Sequence, residues 1–225
     1  MSRNSNYCML SFMRTSTINQ SIYSAIEALP FGEDEKIRLR NIKNHTSLKN
    51  SLGSLLCLKK ILDHLGFQSE SYDLTIARDS NGKPYFLSLP LHFSISHSQD
   101  LAIVALSDQS IGVDIEFIDA RRDINAISER FFAPDEHLAI CESKCPADDF
   151  FALWTKKEAF AKLSGKGLSS ICSKQSIFGA EYTFKEYRLI SGEDNACLTV
   201  CFKSNDLDFK IDNPYKEITL YEIQN

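Results

Sequence analysis

The sequence predicts an α+β fold in two similar-sized parts that meet near residues 108–112. Three observations carry this. The hydrophobic pattern runs strand, long helix, β-meander, helices, β-meander, so neither helix nor strand dominates. The length of 225 residues suits one domain or two small packed ones and can bury a core without disulfides or metal staples. The composition is 43% hydrophobic, 24% charged and 11% aromatic, which excludes a disordered tail protein, a collagen-like repeat and a disulfide miniprotein. The net charge of −5 provides no general basic field, which argues against a nucleic-acid binder. Any anionic ligand must be held by a local cationic pocket. The division expected is 1–109 and 110–225.

Tyr7 to Met13 is a short apolar stretch with Arg14 directly after it, and reads as a first strand rather than a signal peptide. Glu33 to Leu65 reads as one helix. Leu39, Ile42, Leu48, Leu52, Leu55, Leu56 and Ile61 recur near helical spacing, and Gly66 follows as a stop. Leu74 to Ala77 is a short strand, and Asp79-Ser-Asn-Gly82 a turn in which Asn and Gly tolerate positive φ. His92 to His97, Leu101 to Ser107 and Ile111 to Ile118 are strands joined by polar turns. Asp123 to Phe131, Pro134 to Cys141 and Asp148 to Leu163 read as helices, the last ended by Gly165 and Gly167. Candidate strands follow at 181–190, 196–203 and 216–223. No apolar run approaches the roughly 18–20 residues of a membrane span. The seven cysteines, Cys8, Cys57, Cys141, Cys145, Cys172, Cys197 and Cys201, are odd in number and scattered. Most of them read as small core residues of a protein in a reducing compartment, here the cytoplasm. The two C-x3-C spacings lack the converging ligands of a zinc site.

Four segments carry chemistry. In Ile111-Gly-Val-Asp-Ile-Glu-Phe-Ile118, period two puts Ile111, Val113, Ile115 and Phe117 on one face and Gly112, Asp114 and Glu116 on the other. The two carboxylates lie about 7 Å apart along the strand. A hard divalent cation between them relieves their repulsion; an acidic solvent face explains the pattern equally well. In Phe150 to Leu163, Phe150, Leu153, Trp154, Phe160 and Ala161 form a buried stripe, with Phe151, Thr155, Glu158 and Lys162 beside it. Glu158 and Lys162, four apart, face the same way, as a metal-binding carboxylate with a phosphate-binding lysine or as a plain surface ion pair. Phe93-Ser-Ile-Ser-His-Ser98 places Ser94, Ser96 and His97 at a strand end suited to phosphate. Gly82-Lys83-Pro84 combines close backbone approach, a charge and a fixed φ.

The joint order of Gly82-Lys83-Pro84, Phe93 to Ser98, Gly112 to Glu116 and Trp154 to Lys162, followed by Gly165-Lys-Gly-Leu168, resembles the 4′-phosphopantetheinyl transferases. In particular it is similar to their long, monomeric, surfactin-synthetase-activating type. Phe131-Phe132 before Pro134-x-Glu136 also fits that family, and the likeness spans residues 35–170. The resemblance implies two similar α+β halves related by a pseudo-twofold axis. It implies transfer of phosphopantetheine from coenzyme A to a serine of an apo acyl or peptidyl carrier protein, releasing adenosine 3′,5′-bisphosphate, with no nucleic-acid or membrane partner. Asp114, Glu116 and Glu158 would bind Mg2+, or Mn2+ in its place. Lys162, Ser96 and His97 would contact coenzyme A phosphates, and Gly82, Lys83 and Pro84 its adenosine end. Glu158, directly or through a water, would take the serine proton.

The chain departs from the family before Leu52-Gly53, where Thr46-Ser-Leu-Lys49 replaces an acidic and arginine-bearing stretch. Lys36 is the first choice for the 3′-phosphate, with Arg38, Arg40, Lys43 and Lys49 nearby in sequence. Lys166, Lys174, Lys185 and Arg188 would form a basic patch for acidic carriers. Two other functions use the same residues: a Mg2+-dependent nucleotide phosphohydrolase, and a non-catalytic coenzyme A- or carrier-binding module of the same fold.

Overall fold

Strand and helix order matches the α+β expectation in a computed structural model, which describes residues 7–18, 21–167, 174, 176–177, 182–203, 208–214 and 219–223. The chain forms two compact units: Met1–Ser110 with Asp206–Pro214, and Ile111–Asn205 with Tyr215–Asn225.

In the first unit, β1 (Tyr7–Arg14) leads through a 3-10 turn into α1 (Ile22–Glu27), α2 (Glu33–Arg40) and α3 (His45–His64). A two-stranded hairpin of β2 (Ile76–Arg78) and β3 (Pro84–Phe86) follows, then β4 (His92–Ser98) and β5 (Leu101–Ser107). A later strand, β9 (Asp208–Asp212), returns to this unit, giving the sheet order β4-β5-β1-β9. β5 pairs antiparallel with both β1 and β4, while β9 pairs parallel with β1. Its central place explains why β5 is buried at every position. The core lies under α3, where Leu52, Leu55, Leu58, Ile61 and Leu62 pack with Met9, Phe93, Val104 and Leu106.

The single helix expected over Glu33–Leu65 is two helices. Asn41 follows the last turn of α2, and the Asn44 side chain accepts from Ser47 N at 2.8 Å, capping a new helix. Three short elements had no clear sequence signal: α1, β3 and β9.

The second unit runs β6 (Ile111–Phe117), α4 (Ile124–Phe131), α5 (Pro134–Cys141), α6 (Pro146–Ser164), β7 (Thr183–Ser191) and β8 (Asp194–Phe202). It ends with β10 (Thr219–Ile223), and the sheet order is β10-β7-β8-β6. Both units therefore share one plan. A first strand is followed by helices and then a hairpin whose second strand lies beside the first, as β4-β5-β1 in one unit and β7-β8-β6 in the other. Residue 181 and residues 216–218 of the expected strands, and Cys172, lie outside the described residues. The six described cysteines are all free thiols. Among the described residues no helix is long and apolar enough to cross a membrane.

α6 lies directly on β6, and Gly112 is the reason. A Cβ at that position would overlap the carbonyl oxygen of Ala159 and stand 2.7 Å from Leu163 N. The expected burial of α6 needs correction: Trp154 and Phe160 are only half-buried, while Thr155 and Lys157 are fully buried. The helix is enclosed on more than one side, by the sheet and by α5, so a single apolar stripe does not describe it.

Candidate active site

β6 and α6 build the centre of the candidate site. On β6, Asp114 and Glu116 stand opposite Thr199 and Cys197 of β8. Thr199 Oγ1 lies 2.9 Å from Thr155 Oγ1 of α6, so this is the face that α6 covers. Asp114 is only 4% exposed, which overturns the reading of this strand face as a solvated acidic one.

Lys162 Nζ donates to Asp114 Oδ1 at 2.7 Å. The lysine's partner is thus a carboxylate on the sheet, not Glu158 on its own helix, and the surface ion-pair reading fails with it. Glu158 sits in the same charge field. Burial first, then the nearby charges of Asp114 and Glu116, push its carboxyl up to about 7, against the opposing pull of Lys162. The structure therefore brings Asp114, Glu116, Glu158 and Lys162 within electrostatic reach of one another.

Among the described residues, no three His, Cys, Asp or Glu side chains converge closely enough to enclose a metal ion. The donor set nonetheless has the chemistry of a hard divalent-cation site: it offers carboxylate oxygens alone, and burial, with the neighbouring carboxylates, raises Glu158. The Lys162 ammonium supplies a positive charge to Asp114.

The other expected residues lie in the first unit. Ser96 and His97 follow one another on β4, so their side chains leave opposite faces of the strand, Ser96 buried and His97 exposed. Ser94 is buried as well, so these serines do not line a solvent-facing edge. Gly82 sits in the turn between β2 and β3 at φ +83°, its N–H donating to Asp79 O at 2.9 Å. Asp79 Oδ1 accepts from Asn81 N and Lys83 N, which shapes the turn that presents Lys83 and Pro84. Lys83 is half-buried, and desolvation pushes its ammonium below the usual lysine range, against the opposing charge of Asp79.

Lys36 lies half-buried on α2. One residue before it, the buried Glu35 Oε1 accepts from Arg38 Nη2 at 2.8 Å and Arg78 Nη2 at 2.9 Å. Arg78 Nη1 donates in turn to Gly82 O at 3.0 Å. The helix carrying Lys36 and the turn carrying Lys83 are thereby tied together. Arg78 had no signal in the sequence, because its partner lies 43 residues away.

Of the basic residues considered for a docking patch, Lys174 Nζ donates to Glu129 O, Lys185 pairs with Glu222, and Arg188 pairs with Asp148. Lys166 is exposed just past the end of α6.

Comparison with known proteins agrees with this geometry. Residues 110–201, the stretch that builds the β6–α6 site, match the model of the 4′-phosphopantetheinyl transferase superfamily. The chain is 30% identical over 154 residues to the 4′-phosphopantetheinyl transferase gsp of Aneurinibacillus migulanus, covering 67% of this chain and 62% of that protein. It is 43% identical over 95 residues to 4′-phosphopantetheinyl transferase psf-1 of Bacillus pumilus, covering 40% of each chain. It is also 38% identical over 107 residues to 4′-phosphopantetheinyl transferase Sfp of Bacillus subtilis strain 168, covering 46% of each. The matched stretches span about two fifths to three fifths of these relatives' own lengths. The chain belongs to the 4′-phosphopantetheinyl transferase superfamily.

Proposed function

We propose that the protein transfers phosphopantetheine from coenzyme A to a serine of an apo acyl or peptidyl carrier protein, releasing adenosine 3′,5′-bisphosphate. The observation that carries this reading is the contact of Lys162 with the buried Asp114 at 2.7 Å, beside a Glu158 whose carboxyl is raised to about 7. Serine is a weak nucleophile at neutral pH and needs a nearby base. Burial and acidic neighbours raise the Glu158 carboxyl above the usual glutamate range, and it is the group placed to take the serine proton, directly or through a water. The serine oxygen bonds to the phosphorus that carries the pantetheine, and that atom's bond to the bridging oxygen breaks, so the bridging oxygen leaves on adenosine 3′,5′-bisphosphate. Lys162 then turns from Asp114 to a phosphate oxygen, where its charge offsets the charge that builds on the leaving group.

Asp114, Glu116 and Glu158 are the residues to hold Mg2+, or Mn2+ in its place. The ion's contribution is to neutralise charge on the pyrophosphate oxygens. His97, Lys36 and the Gly82-Lys83-Pro84 turn serve coenzyme A binding, whereas Ser96 is buried on the opposite face of β4. The Glu35–Arg78 bridge between α2 and the turn supports a shared role for Lys36 and Lys83. The common plan of the two units supports an internal duplication and, with it, a chain that works as a monomer.

The test is the intact mass of an apo carrier domain after incubation with the protein, coenzyme A and Mg2+. Gain of one phosphopantetheine supports the transferase. Breakdown of coenzyme A without carrier modification supports the phosphohydrolase. Binding without either supports a non-catalytic module. Asp114→Ala and Glu158→Ala are expected to abolish transfer while circular dichroism stays unchanged, because Lys162 is partly exposed and reaches water once Asp114 is gone. Full activity in either variant rules out the ligand assignment. His97→Ala is expected to raise KM for coenzyme A more than it lowers kcat.

A further inference from the structure

α6 carries a second charged pair that the reaction leaves unused. Lys157 Nζ donates to Glu136 Oε2 at 2.7 Å, and the two side chains are 2% and 0% exposed. The same oxygen accepts from Ala133 N at 2.9 Å at the start of α5, and Oε1 accepts from Ile177 N at 2.7 Å. Aromatic rings surround the pair. Lys157 Nζ stands 5.4 Å from the Phe132 ring centre, and Phe132 stacks with Phe150 and Trp154.

Removing two charges from water is costly, and an apolar pair of the same volume often serves stability as well or better. A pair placed here therefore calls for a geometric reason. Apolar contact is non-directional and lets a helix turn about its axis. A carboxylate fixed by several donors is directional and does not. Lys157 and Glu158 are successive residues, about 100° apart around the helix. With Lys157 anchored to α5, the adjoining face carries Glu158 and, one turn on, Lys162 to Asp114 of β6. Neighbouring contacts extend the anchor beyond α6: Ser176 Oγ donates to Asp135 Oδ2 at 2.9 Å, beside Glu136 on α5.

We propose that Glu136 and Lys157 are positioning residues, which set the rotation of α6 and so hold Glu158 and Lys162 in register with Asp114. The inference rests on the transferase reading of the site.

Two variants test it beside the wild type. E136M/K157M replaces the pair with apolar side chains of similar length, so no lone charge is buried. E136D keeps the charge pair but draws the anchor back by about 1.5 Å, one carbon–carbon bond. Fold is followed by circular dichroism and melting temperature. Register is followed by the rise in melting temperature on adding Mg2+, and chemistry by kcat and KM for coenzyme A with an apo carrier. Both variants are expected to fold and to lose at least half of the Mg2+ shift. Their kcat should fall, about 100-fold in the double variant and about tenfold in E136D, as displacement of a catalytic group by an ångström commonly does. A folded double variant with the wild-type Mg2+ shift and kcat overturns the proposal. If the double variant does not fold, E136D decides by the same criteria. A wild type that shows the Mg2+ shift without transfer overturns the reaction instead, and the shift in the variants still decides the pair. A wild type with neither response overturns both.

Discussion

Burial and two neighbouring carboxylates keep the Glu158 proton bound at pH values where an ordinary glutamate, at 4.5, has lost it. The folded pKa of about 7 lies above the unfolded one. The group's contribution to stability is therefore fully present below about 4.5 and is lost as pH rises through about 7. The metal-free wild type should lose more melting temperature than E158Q between pH 5 and pH 8. Equal losses would show that Glu158 is not held in the raised state. Mg2+ needs the ionised carboxylate, so its stabilising effect should be larger at pH 8 than at pH 6. At this scale the sequence already displayed Asp114, Glu116, Glu158 and Lys162, because their spacing sets them on defined faces. It could not display that Lys162 reaches across 48 residues to Asp114, or that Lys157 reaches across 21 to Glu136. A lysine reads as a surface residue until its partner is known.

The contact between α6 and β6 depends on one missing methyl group. Gly112→Ala must displace backbone, the Ala159 carbonyl and Leu163 N, rather than a flexible side-chain end. Overpacking of this kind costs about 3 kcal/mol, the upper end of the usual range. A chemical denaturation midpoint near wild type would mean that α6 can shift at little cost. In that case transfer should still fall, because Glu158 and Lys162 shift with the helix. Elements with a clean pattern were legible at their boundaries: Leu101–Leu106 is an unbroken apolar run closed by Ser107, and Pro134–Cys141 opens on a helix-starting proline. The break before α3 was not, because an Asn cap among polar residues resembles a continuing helix surface. Asp208-Phe-Lys-Ile-Asp212 carries little hydrophobic signal, since its residues are exposed or half-buried.

The shared plan of the two units is a property of the whole chain that residue identities conceal. Strand and helix order suggested two parts, although no sequence repeat is visible. The strand-pairing order makes the likeness explicit, because topology depends on which elements neighbour each other and not on which side chains they carry. The units change over at 110/111, against an expected division at 109/110, and the tail contributes an edge strand to each four-stranded sheet, β9 beside β1 and β10 beside β7. Ending the chain after Lys203 would uncover both β1 and β7. Such a truncation should lower the melting temperature and promote aggregation through the bared strand edges. A monodisperse truncated protein with wild-type melting would show that neither edge strand matters to the fold.

The pairing of β1 with β9 joins residues 201 positions apart, as between Ser11 and Asp212. During synthesis β1 leaves the ribosome well before its last neighbour, β9. Through that interval the first sheet has one side of β1 open, while β5 can already cover the other. Contacts this distant in sequence form slowly and leave an adhesive edge in the interval. The nascent chain is thus most vulnerable to self-association in the window before β9 emerges, which makes the speed of translation through the second unit a determinant of yield.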